Sequence, residues 1–166
     1  MHNLLQLLRR LAEGKFEFVV IGGYAGVLHG SALVTNVFDV CAVLSAANIA
    51  KLRELLADLH PVHRITHQKL SFLEVPPPGT PLANLYLKTD SGIVDVLSNV
   101  LGVGDYERLR KQAVEISLFG LNCPIISLED LITAKEAVGR EKNLLAVKEL
   151  RAIAAKRALG DTHRGD

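Results

Sequence analysis

No apolar run among the 166 residues is long enough to cross a bilayer, and neither sign of charge dominates, since the formal net charge is +1. The first absence argues against a membrane-spanning helix. The second argues against a broadly basic nucleic-acid binder. The only two cysteines, Cys41 and Cys123, fit no metal-ligand or redox spacing, so a reduced, cytoplasmic setting is the default expectation. Internal repeats and low-complexity segments are missing. The opening stretch MHNLLQLLRRLAEG lacks the small-residue cleavage site of a signal peptide; its Leu4, Leu5, Leu7, Leu8 and Leu11 are spaced for one helix face.

What is present is enough apolar material for a core. Hydrophobic residues make up 49% of the chain and charged residues 22%, as in an ordinary globular protein. The length suits one domain, expected over 1–160, with a helical segment over about 127–158 and a flexible tail at 161–166. Residues 3–13 read as an amphipathic helix stopped by Gly14. FEFVVIG (16–22) reads as a buried strand, YAGVLHG (24–30) as a short helix, and VFDVCAVL (37–44) as a second buried strand. Ser45 caps a helix to about residue 59. Residues 60–81, rich in His and Pro, read as a connection without regular structure. NLYLKTD and GIVDVLS form a hairpin around Asp90-Ser91. Asp105 caps a short helix, VEISLFG and LNCPII flank a turn at Gly120, and Ser127 with Asp130 starts a helix ended by Gly139. EKNLLAVKELRAIAAKRA is the last helix. This order predicts an α/β or α+β fold, a small mixed sheet flanked by helices.

Two residues in this pattern need an explanation. Asp39 sits alone in the apolar strand VFDVCAVL, and Asp95 alone in GIVDVLS. A buried carboxylate is costly without a partner. If the two strands are neighbours, the acids converge on a site for a hard divalent cation, which prefers oxygen ligands. Otherwise each receives backbone N–H groups or an arginine. The glycine pair in GGYAG follows a strand and opens a helix, where backbone N–H groups can approach an anion. It lacks the full GxGxxG spacing of dinucleotide binding.

A glycine pair after a strand, a helical turn, HGS, and then the remnant of T-x-D-x-D at the head of the next strand resemble the nucleotidyltransferase superfamily of the DNA polymerase β type. The nearest group is the small stand-alone bacterial nucleotidyltransferases, related to the catalytic partners in toxin–antitoxin and abortive-infection pairs. The resemblance runs from the leading helix to SLEDLITAKEAVGREKN and implies the nucleotidyltransferase fold. It implies that Gly22 and Gly23 hold the triphosphate of an NTP. It implies that Asp39 and Asp95 are catalytic and bind Mg²⁺ (or Mn²⁺), and that Asp95 helps deprotonate an acceptor hydroxyl. Lys135, Arg140 and Lys142, with Ser31 and Thr35, would steady the phosphates. The implied reaction is in-line attack on the α-phosphate, transfer of NMP and release of pyrophosphate.

Three departures remove charge from that site. Val37 stands where the first acid belongs, Leu33 where relatives often carry an arginine, and Asn143 where they carry an aspartate. Impaired metal binding or turnover is therefore expected. The alternative is a catalytically inactive module that binds nucleotide or a partner protein. The acceptor stays open among a tRNA end, a protein hydroxyl and a small molecule. A homodimer or an antitoxin-like partner fits the resemblance, and no membrane association is expected.

Each of these residues also has a plainer reading. The three cations fit a solvated helix face. Ser31 and Thr35 suit local turn chemistry. His29 suits a helix C-terminus. Tyr24 either stacks on a base or covers the sheet. His60, His63 and His67 read as part of a polar loop.

Overall fold

The computed structural model describes residues 3–80 and 82–164. Its helices are α1 (Leu4–Glu13), α2 (Gly22–Leu28), α3 (Ala46–Leu56, continued by a 3₁₀ turn Ala57–Leu59), α4 (Tyr106–Gln112), α5 (Leu128–Val138) and α6 (Glu141–Arg164). Its strands are β1 (Val19–Ile21), β2 (Val37–Cys41), β3 (Val62–His63), β4 (Asn84–Thr89), β5 (Gly92–Leu97), β6 (Asn99–Val100), β7 (Gly104–Asp105), β8 (Val114–Leu118) and β9 (Leu121–Ile125). Seven strands form one sheet in the order β3-β4-β5-β2-β1-β9-β8, and β6 pairs with β7 apart from it. The β2–β5 and β1–β9 pairs are parallel and the rest antiparallel, so the sheet is mixed, as the element order predicts.

Period-two alternation divides the central strands. Phe38 and Val40 of β2, Leu85 and Leu87 of β4, and Val94 and Val96 of β5 are fully or almost fully buried. They share one core with Leu7, Leu8 and Leu11 of α1 and Leu52 and Leu56 of α3. The opposite positions, Val37, Asp39, Tyr86 and Ile93, are only partly covered. The leucine spacing of α1 buries Leu4, Leu7, Leu8 and Leu11 and leaves Leu5 exposed.

Helix starts follow the expected caps. The Ser45 hydroxyl accepts from the Asn48 N–H at 3.2 Å, and the Asp105 carboxylate from the Arg108 N–H at 3.0 Å. The Ser127 hydroxyl accepts from the Asp130 N–H at 3.1 Å. The Asp130 carboxylate does not complete a reciprocal capping box. It takes both arms of Arg108, at 3.0 and 3.1 Å, and ties α5 to α4. Gly139 ends α5 with φ +70°.

The sequence-based boundaries shift in five places. β1 is shorter than 16–22, because Phe16 and Phe18 are buried in the core without joining the ladder. β2 stops at Cys41 rather than residue 44. Helix α2 begins at Gly22, not Tyr24. Within the expected irregular connection, Val62 and His63 pair with Lys88 and Leu87 as an edge strand, since the free edge of β4 offers unpaired backbone groups. The backbone of α6 continues past 160 to Arg164, whereas a flexible tail is expected from 161; residues 165–166 of that tail lie outside the described residues. Among the described residues no helix is long and apolar enough to cross a membrane.

Phe38 is the largest wholly buried side chain on β2. Phe38→Ala is expected to lower the unfolding free energy by about 3–5 kcal/mol, measured by urea denaturation.

Candidate functional site

The site starts from strand register. In the parallel β2–β5 pair, Asp39 stands directly beside Asp95, and across β5 Asp95 stands opposite Tyr86. Paired strands lie about 4.8 Å apart, so the two carboxylates leave the same sheet face side by side. Two such charges repel by about 3 kcal/mol at an effective dielectric of roughly 20.

Asp95 is compensated by an arginine. Arg64 Nε donates to one carboxylate oxygen at 3.1 Å, and its Nη2 donates to the other. The Arg64 guanidinium also lies 5.5 Å from the centre of the Tyr86 ring. Asp95 itself is buried, at 8% exposure. Arg64 follows β3 in the His- and Pro-rich connection. Nothing in the local pattern HPVHRITH separates a site residue from loop polarity; its role comes from the edge pairing that carries it onto this face.

Asp39 has no ion-pair partner among the described residues within 4 Å. Its carboxyl is pushed up from the usual 3.8 to about 6, first by burial and then by the Asp95 charge; Lys135 and Arg64 pull the other way. Gly22 makes room for it. Gly22 has φ +66°, and a Cβ there would meet the Asp39 Oδ2 at 2.4 Å, so glycine is required on both counts. Lys135 on α5 is half-buried. Burial lowers its pKa, the Asp39 charge opposes that, and neighbouring Lys142 adds to it.

Two cavities meet at these residues. The more polar of the two, of about 330 Å³, is lined by Gly23, Val37, Asp39, Lys135, Arg140 and Lys142, among others. A more apolar one of about 290 Å³ is lined by Leu97, Val100, Leu131, Ala134 and Val138. Asp39, Lys135, Gly23 and Asn143 border both. The fold thus brings together Gly22, Gly23, Asp39, Lys135, Arg140 and Lys142 from four separate segments. Leu33 and Asn143, two of the charge-removing departures, also line the polar cavity.

Other residues singled out in the sequence have structural partners. Ser31 borders the polar cavity, but its hydroxyl donates to the Glu149 carboxylate, which also accepts from the Ala32 N–H at 3.0 Å. Thr35 accepts from the Val37 N–H at 3.3 Å and lies over Gly23. His29 is buried; its Nε2–H donates to the Ile126 carbonyl at 2.7 Å, and its Nδ1 accepts from Arg157 at 3.1 Å. Burial, with Arg157 beside it, lowers its pKa and keeps it neutral. Tyr24 packs edge-on against Phe38, 5.7 Å between centres. His60 pairs with Asp90, and His63 donates to the Val75 carbonyl. Among the described residues no three His, Cys, Asp or Glu side chains are grouped to hold a metal. Glu149 and Arg157 carry no sequence signal either, because their partners lie over 100 residues away.

The donor set does not fit a pair of divalent ions. Val37 offers no oxygen, and both oxygens of Asp95 accept from Arg64. That leaves the Asp39 carboxylate, whereas a magnesium ion asks for near-octahedral oxygen coordination.

No family model and no curated protein matches the chain. Solved structures do. The lincosamide antibiotic adenylyltransferase LnuA, in its lincomycin-bound form, is 18% identical, with a TM-score of 0.62 over 90% of this chain and 95% of that one. A Thermotoga maritima protein provisionally assigned as a nucleotidyltransferase is 17% identical, with a TM-score of 0.55 over 90% and 94%. The fold is that of the nucleotidyltransferases. On this nucleotidyltransferase fold the cleft above the β2–β5 pair is where Asp39, the Gly22-Gly23 pair, Lys135, Arg140 and Lys142 come together.

The raised pKa of Asp39 has a sign that can be measured. The folded state binds this proton more tightly than the unfolded chain, so stability falls as pH rises from about 4 to about 6. The neutral His29 acts oppositely in part of that window, but equally in a variant that keeps it. The stability of the wild type minus that of Asp39→Asn is therefore expected to fall from pH 4 to 6 and then level off, followed by urea denaturation across pH.

Proposed function

We propose that this chain binds a nucleoside triphosphate in the polar cleft over Asp39, and that NMP transfer from it is impaired as the sequence stands. The observation that carries the binding reading is the grouping of Lys135, Arg140 and Lys142 around the Gly22-Gly23 turn in a cavity of about 330 Å³. A triphosphate brings three to four negative charges, and these three side chains are its natural counter-charge. Gly23 borders the same cavity, with Thr35 packed against it. Thr35 and Ser31 border the phosphates chiefly by holding the loop that closes the cleft.

Impaired transfer follows from the carboxylates. The first acid is Val37, and Arg64 occupies Asp95. The step that the remaining residues support is proton removal. Asp39, with a pKa of about 6, is mostly ionised at neutral pH and basic enough to accept a proton from an acceptor hydroxyl. That role passes to it from Asp95, which is held in a two-armed ion pair with Arg64. The apolar cavity on the other side of Asp39 favours a small-molecule acceptor over a tRNA end or a protein hydroxyl.

The reading of an active Mg²⁺-dependent nucleotidyltransferase is favoured by one observation, the in-register Asp39–Asp95 pair. Soluble cytoplasmic residence, a bacterial source and an antitoxin-like partner or second copy belong to this same reading.

Isothermal titration with ATP, GTP, CTP and UTP tests the proposal. At least one is expected to bind, and Lys135→Ala to weaken it tenfold or more, about 1.4 kcal/mol. Absence of binding by all four overturns it. With α-³²P-labelled nucleotide in cell lysate, Val37→Asp is expected to transfer label faster than the wild type. Transfer by the wild type as fast as by Val37→Asp would instead favour the active-enzyme reading, and transfer by neither the inactive binding module.

A further inference from the structure

Arg64 is held in place from three sides. Its backbone N–H donates to the Tyr86 carbonyl at 3.0 Å, its own carbonyl accepts from Lys69, and its guanidinium lies over the Tyr86 ring. Its charged end meets Asp95 with two parallel hydrogen bonds, on a carboxylate whose side chain is only 11% exposed. Such a bidentate, partly desolvated pair is among the stronger interactions a side chain makes. A divalent ion at Asp95 would have to share its two oxygens with Arg64 and would sit against a fixed positive charge. The neighbouring position that would add oxygen ligands is Val37, paired in register with Ile93.

We infer that Arg64 is the resident cation at Asp95, the acid beside Asp39 at the edge of this cleft: it takes the place of a divalent ion there, so that phosphate-bearing ligands bind in the cleft without metal. This rests on the nucleotide-binding reading for the ligand but not for Arg64 itself. Arg64 neutralises the acid that faces Asp39, and Lys135, Arg140 and Lys142 meet the phosphates directly. The site is thereby a metal-independent anion pocket beside which Asp95 serves an ion pair.

Two titrations decide this. The first follows free Mn²⁺ alone by electron paramagnetic resonance. The wild type is expected to show no site tighter than about 1 mM, the weak end of protein carboxylate sites. Arg64→Gln, which frees the Asp39–Asp95 pair, is expected to bind Mn²⁺ at least tenfold more tightly, and Arg64→Lys, which keeps the charge, to stay like the wild type. The second compares ATP binding to the wild type in EDTA and in Mg²⁺; dissociation constants within threefold are expected. A micromolar Mn²⁺ site in the wild type that Asp39→Asn abolishes overturns the inference. So does loss of ATP binding in EDTA, or a folded Arg64→Gln with no gain in Mn²⁺ affinity. If Arg64→Gln does not fold, as a thermal melt would reveal, the two wild-type measurements still decide. If ATP binds under neither condition, the nucleotide reading fails and the Mn²⁺ titrations alone judge Arg64.

Discussion

Two carboxylates stand side by side on one sheet face, and much of the site answers that repulsion. The parallel β2–β5 register places Asp39 against Asp95 and admits no sliding, because a one-residue slip would turn Phe38 and Val40 out of the core. Packing therefore holds an electrostatically unfavourable pair in place. The surrounding charges then divide the two acids. Arg64 engages Asp95, while Asp39 has no ion pair among the described residues and a raised pKa, which the Lys135 charge opposes.

Several distant features serve that division. The edge strand β3 exists as a two-residue pairing with β4, and that pairing brings Arg64 over Tyr86. Gly22 combines a left-handed conformation with a lack of room for a side chain, which would strike the Asp39 carboxylate. The Arg108–Asp130 pair anchors the first turn of α5, the helix that carries Lys135 at its far end. Glu149 on α6 and Arg157 further along it fasten the loop and the helix end that follow the glycine pair. The cleft is thus bounded by long-range polar contacts, each joining segments far apart in the chain.

Two cavities of different character share one carboxylate and one lysine. That arrangement suits a ligand with a charged end and an apolar end, or two ligands that meet at Asp39. Val37 lies on the polar side, among the cations. An apolar residue there adds no negative charge to oppose these cations, which favours anion binding over metal coordination.

Much was legible from the chain alone. The leucine spacing of α1, the caps at Ser45, Asp105 and Ser127, and the glycine stop at Gly139 depend on neighbours within a few residues, and each appears where its local pattern places it. Asp39 and Asp95 stood out because an isolated acid in an apolar strand is anomalous wherever the strand ends up. Their shared face, and the glycine pair, were foreseeable from strand alternation once the strands were taken as neighbours. Tertiary structure decided what each acid does. Arg64, Glu149 and Arg157 act on partners 31, 118 and 128 residues away, and no local pattern encodes contacts of that range. Local sequence determines where a charge is carried and on which face; the sheet order, which only the folded chain possesses, determines which opposite charge it meets.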